Sequence, residues 1–133
     1  MSLINLIDFQ SLGDGRGELV SLENNKNIPF EVKRVYYIVN TQENVVRGLH
    51  AHRQLHQVAV VISGSCKFIL DDGKTREEVV MSSPVQGLKI GPGTWREMCD
   101  FSKDCVLIVL ASELYDESDY IRNYEEFIKE TNK

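Results

Sequence analysis

The chain has 133 residues, 42% of them hydrophobic, and a formal net charge of −5. That length predicts one domain, 1–133, with a core of its own, and no run approaches the ~18 uninterrupted apolar residues of a membrane span. The acidic balance argues against nucleic acid as the main partner, because binding its backbone needs a concentrated basic surface; a few clustered arginines still suffice for a small phosphorylated ligand.

From the N-terminus, Met1 to Phe9 carries no positively charged leader ahead of an apolar stretch, which predicts a cytoplasmic protein. Gly13-Asp14-Gly15-Arg16-Gly17 reads as a loop that leads into a strand over Glu18–Leu22. Short runs rich in β-branched and aromatic residues then predict strands at Val32–Val39, Gln57–Ile62, Cys66–Leu70, Glu78–Met81, Gly87–Ile90 and Cys105–Ala111. Turn residues separate them: Ser63-Gly64-Ser65, Asp71-Asp72-Gly73-Lys74 and Gly91-Pro92-Gly93. Such short, evenly spaced strands without amphipathic helices between them predict an all-β sandwich or barrel. Only the tail differs. Over Ser118–Lys133 the spacing of Tyr120, Ile121, Tyr124, Phe127 and Ile128 predicts one terminal helix packed on the barrel. Cys66, Cys99 and Cys105 are odd in number and lack CxxC spacing, so no disulfide framework is expected.

All three histidines fall within Arg47-Gly48-Leu49-His50-Ala51-His52-Arg53-Gln54-Leu55-His56. On a strand, His50 and His52 share one face. An arbitrary H-x-H is usually surface decoration. Here it precedes an apolar strand and the Gly64 turn, which places it at the mouth of a barrel.

The spacing His50-x-His52, four residues, Gln57, six residues, Gly64 resembles the first cupin motif, H-x-H-x(3,4)-E-x(6)-G. Gly91-Pro92-Gly93-Thr94-Trp95-Arg96 resembles the second, P-x-G-x-x-H. The resemblance implies a cupin, or jelly-roll, barrel with a short C-terminal helix. Metal cupins hold their ion with the two histidines, the glutamate and the last histidine. This sequence has Gln57 and Arg96 at the latter two positions. Glutamine is a weak neutral ligand, and arginine brings a fixed charge and no lone pair. Two imidazoles fall short of the usual three or four protein ligands, so no metal and no other cofactor is expected. A histidine pair left free of metal suits proton transfer next to a carbonyl, and Arg96 suits stabilisation of an enolate.

Nearly the whole chain is similar to the sugar nucleotide 3,4-ketoisomerases of the WxcM-like group, which act on dTDP-4-keto-6-deoxyglucose. Ile28-Pro29-Phe30, Lys33-Arg34-Val35-Tyr36-Tyr37-Ile38, Arg47 through His52, Trp95-Arg96-Glu97-Met98 and Asp119 through Tyr124 carry the likeness. It implies that the keto group of a dTDP-linked 4-keto-6-deoxyhexose moves from C4 to C3 through an enediolate, in making deoxyaminosugars for surface polysaccharide. His50 then serves the carbons and His52 the oxygens. Tyr37 or Tyr36 assists, Tyr37 as a phenolic donor and Tyr36 in binding; alternation along the strand lets only one reach the site. Arg34 and Arg47 would hold the diphosphate through bidentate contacts. Gln57 would bond the sugar or a histidine, Trp95 would stack on a ring or join the core, and Arg16 would approach the sugar from its loop. A dTDP-sugar 3,5-epimerase and a non-catalytic sugar-binding cupin are the alternatives. An open barrel protects its edges by pairing, which predicts a homodimer with Glu18–Leu22 crossing between copies.

Overall fold

The computed structural model describes residues 2–132; Met1 and Lys133, the ends of the expected domain and helix, lie outside them. Ten strands form two antiparallel sheets that face each other across a common core. They are β1 (Asn5–Asp8), β2 (Arg34–Ile38), β3 (Arg47–His52), β4 (Gln57–Ser63), β5 (Cys66–Asp71), β6 (Arg76–Met81), β7 (Gln86–Ile90), β8 (Trp95–Cys99), β9 (Val106–Ala111) and β10 (Tyr120–Ile121). The first sheet has the order β1-β7-β4-β9-β2 and the second β10-β3-β8-β5-β6. This is the all-β jelly roll expected, and among the described residues its one α-helix, the short α1 (Tyr124–Thr131), lies at the C-terminal end.

Between the sheets, Ala59 and Val61 of β4 meet Phe68 and Leu70 of β5, Leu88 and Ile90 of β7, and Leu107 and Val109 of β9. Alternation then sends Val58 and Val60 outward, yet both are buried. Phe9, Ile28, Val20 and Leu22 cover that outer face, which explains why β4 reads as an unbroken apolar run. Residues 18–22 therefore do part of their work as a cover, and the strand expected there is absent. The side chain of Asn27 accepts from Glu23 N at 2.8 Å and donates to Ser21 O at 2.6 Å, taking up groups a ladder would have used.

The Asp71-Asp72-Gly73-Lys74 turn joins β5 to β6 as expected. The tail departs from its helical reading at one end. Tyr120 and Ile121 pair with His52 and Ala51 as an edge strand, and the helix begins only after Asn123, whose side chain accepts from Glu126 N at 2.9 Å. Phe127 of α1 is buried with Ala51, Trp95 and Ile121 against the outside of the second sheet. Among the described residues no helix is long and apolar enough to cross a membrane.

Candidate functional site

β3 carries the histidines, and its backbone is bent to aim them. Gly48 and Leu49 have φ of +82° and +58°, and the register with β8 shifts between Gly48 and His50. A bulge of this kind re-aims the side chains that follow. It brings the carbonyl of Gly48 to 3.0 Å from His50 Nδ1. A Cβ on Gly48 would lie 2.9 Å from the Arg96 carbonyl oxygen, so only glycine fits without a shift.

The rings of His50 and His52 meet edge to face with centroids 4.8 Å apart. Tyr120 of β10 packs on both, at 4.8 Å from His50 and 4.3 Å from His52. His52 Nδ1 lies 3.2 Å from Asp119 Oδ2. Arg96, directly across from His50 on β8, is only 2% exposed. Its guanidinium donates to Gln57 Oε1, and to Thr94 O at 3.1 Å. Gln57 in turn donates to the Tyr36 hydroxyl at 3.0 Å. No carboxylate lies within ion-pair distance of Arg96 among the described residues, so a nearly bare cation sits inside the barrel. Burial lowers its pKa to about 10.

That cation sets the electrostatics of the pair. Burial and then the charge of Arg96 push His50 down to about 4 and His52 down to about 2. Both are therefore neutral imidazoles at physiological pH, each with one nitrogen lone pair available. Burial also raises the Tyr36 phenol. A cavity of about 450 Å³ opens beside His52 and is bordered by Lys33, Arg34, Leu55, Tyr115 and Tyr120. Among the described residues, two buried side-chain nitrogens lack a hydrogen-bond partner, Arg34 Nε and His52 Nε2. Both residues line this cavity. Unpartnered buried donors and acceptors are costly, and here they border the opening next to His52.

Residues 2–132 match the FdtA family model, described as WxcM-like, C-terminal. A TDP-4-oxo-6-deoxy-alpha-D-glucose-3,4-oxoisomerase from Aneurinibacillus thermoaerophilus is 55% identical over 124 residues, covering 93% of this chain and 89% of that protein. This chain belongs to the sugar 3,4-ketoisomerase family. A histidine-to-asparagine variant of the 3,4-ketoisomerase from Thermoanaerobacterium thermosaccharolyticum, solved with TDP-4-keto-6-deoxyglucose, superposes with a TM-score of 0.96 at 44% identity, covering 99% of this chain and 96% of that one. A dTDP-4-dehydrorhamnose 3,5-epimerase from Bacillus anthracis shares the fold alone, with a TM-score of 0.75 at 15% identity over 88% of this chain and 76% of that one.

In this ketoisomerase the cupin metal position does not fit a metal. Gln57 Oε1 is engaged by the Arg96 guanidinium, whose charge would repel a divalent ion, and no cluster of three or more His, Cys, Asp or Glu converges among the described residues.

The structure gathers His50, His52, Tyr36, Gln57 and Arg96 around one small inner void or its mouth, and puts Arg34 on the adjoining cavity. Other expectations need correction. Tyr37 points outward and is 68% exposed, because alternation on β2 gives the inward place to Tyr36. Trp95 is core: it packs against Tyr124 and Phe127 and donates to Glu97 Oε2 at 3.0 Å. Gln57 bonds Arg96 and Tyr36, not a histidine. Arg47 is exposed at the start of β3 and borders neither opening. Arg16 is exposed and paired with Asp14 at 2.7 Å.

Sequence reasoning missed Asp119 and Tyr120. Asp119 stands 67 positions beyond His52 and entered the sequence reading only within a segment of family likeness, with no role at the site. The Asn123 cap, followed three residues later by Glu126, was the available signal that Tyr120 lies outside the helix.

Proposed function

We propose that this protein moves the keto group of a dTDP-linked 4-keto-6-deoxyglucose from C4 to C3. The observation that carries the reading is two neutral imidazoles, 4.8 Å apart, beside a buried guanidinium that lacks a carboxylate partner. The activities named for the relatives agree with it. His50 removes the C3 proton, which the C4 ketone acidifies. The enediolate that forms is stabilised by the fixed charge of Arg96. A proton returns at C4, while His52 carries another between the two oxygens. Tyr36, held by Gln57, is the phenol within reach. Arg34 and Lys33, on the cavity rim, hold the diphosphate.

The reaction consumes no redox equivalents and belongs to deoxyaminosugar synthesis for surface polysaccharide, which places it in the cytoplasm. The working unit is a homodimer in which the segment around Glu18–Leu22 crosses to the second copy and carries Arg16 toward that copy's sugar.

Incubation with dTDP-4-keto-6-deoxyglucose and NMR of the product tests the activity. A ketone at C3 is expected, and single substitution of His50 or His52 by Asn should reduce turnover at least about a hundredfold. Unchanged substrate with the wild type, or inversion at C3 and C5 with the ketone left at C4, overturns the assignment.

A further inference from the structure

The 3-10 turn Glu117–Asp119 and β10, which follows it directly, form a strap across the open edge of the histidine strand. Asp119 sits at the junction of the two. Its Oδ2 faces His52 Nδ1 at 3.2 Å, and the carboxylate cannot turn away. Oδ1 accepts from Gln54 N at 2.8 Å and Oδ2 from Leu55 N at 3.2 Å. An ionised carboxylate only accepts hydrogen bonds, and a neutral imidazole carries a single N–H. The hydrogen must then be on Nδ1, and the lone pair on Nε2.

Arg53 follows His52 directly and binds the strap along its length. Its backbone N–H donates to Asp119 O at 3.0 Å. Its guanidinium donates to Ser118 O at 2.8 Å and Tyr120 O at 3.0 Å, and reaches Glu130 of α1 at 3.0 and 3.1 Å. The helix, the strap and the histidine strand thus meet on one side chain.

We propose that Asp119 is a positioning residue that fixes the tautomer of His52 with Nε2 as the proton-accepting nitrogen, and that Arg53 is a second positioning residue that holds the strap for it. The inference rests on the ketoisomerase reading of the same site and adds an order to the pair. His50 has only the peptide carbonyl of Gly48 behind it, whereas His52 has a full negative charge. When Nε2 of His52 takes a proton from one substrate oxygen, the imidazolium formed is offset by Asp119, despite Arg96 nearby. Nε2 then returns that proton to the other oxygen, and His52 is again neutral. The residue that must alternate between acceptor and donor is the one backed by a carboxylate.

Long-range 1H–15N NMR of histidine-labelled protein reads the tautomer without substrate. Wild-type His52 is expected to show an unprotonated Nε2. In Asp119→Asn the amide can offer its own N–H to Nδ1, so His52 should shift toward the Nε2–H form, with kcat lower by at least about a hundredfold and KM within about twofold. Arg53→Ala keeps the carboxylate but frees the strap; a mixed tautomer population and a smaller loss of kcat are expected, partly restored in Arg53→Lys. If Asp119→Asn does not fold, the wild-type and Arg53→Ala spectra decide. An Nε2–H form in the wild type, or one unchanged tautomer in every variant, overturns the proposal. A wild type that leaves the dTDP sugar untouched sinks the ketoisomerase reading, while the spectra still judge Asp119 on their own.

Discussion

At the scale of single residues, the arginine replacing a cupin histidine has the widest effect. Arg96 contributes the largest Coulombic part of the depression of both imidazoles, after burial itself. Because His50 titrates near 4 and His52 near 2, kcat/KM should stay level from neutral pH downward and fall only as the pH approaches about 4. An unperturbed histidine would already have lost half its base form near its ordinary value of 6.5. In Arg96→Met the cation is gone, so both imidazoles gain protons more readily and the acid limb of the pH–rate profile should move upward. Loss of enediolate stabilisation should also lower kcat about a hundredfold or more. A profile whose acid limb stays in place would disconnect Arg96 from the histidines.

At the scale of elements, the bulge in β3 is the feature on which the geometry turns. Gly48→Ala puts a methyl against the Arg96 carbonyl at a φ of +82°, a strain of about 1–3 kcal/mol. Urea unfolding should register that loss, and kcat should drop by about tenfold or more as the Gly48 carbonyl shifts away from His50. Trp95 makes the opposite case. Its substitution by Phe should lower the urea midpoint through lost packing and the lost bond to Glu97, with KM within about twofold, since the ring lies in the cluster under α1. Most elements were legible beforehand because β-branched runs such as Gln57–Ile62 announce themselves. β3 and β8 were visible only as motifs, since Arg47–His52 holds a glycine and two histidines and Trp95–Cys99 holds Arg96 and Glu97. The strand expected at Glu18–Leu22 failed because its alternation serves to cover a sheet, not to extend one. The histidine pair, Arg96 and Gln57 were found through spacing; Asp119 and Tyr120 were not, because chain distance hides contacts that only tertiary pairing creates.

At the scale of the whole molecule, the two sheets leave edges and apolar side chains facing outward. Leu12, Leu19, Val35 and Tyr37 are each more than half exposed, apolar surface that a second copy would cover. Light scattering is expected to give twice the chain mass of 15.2 kDa, and Leu19→Asp combined with Tyr37→Asp should shift the protein toward the monomer. A monodisperse wild-type monomer would remove the homodimer and with it the route of Arg16 to a sugar. Leu49 offers a different handle on the same molecule. It is a branched, solvent-facing residue in a left-handed conformation that favours glycine or asparagine. Exchanging it for Asn should relieve local tension without leaving a void, raising the melting temperature by a few degrees, on the order of 1 kcal/mol. Heat tolerance in this scaffold can therefore be sought one side chain away from the chemistry.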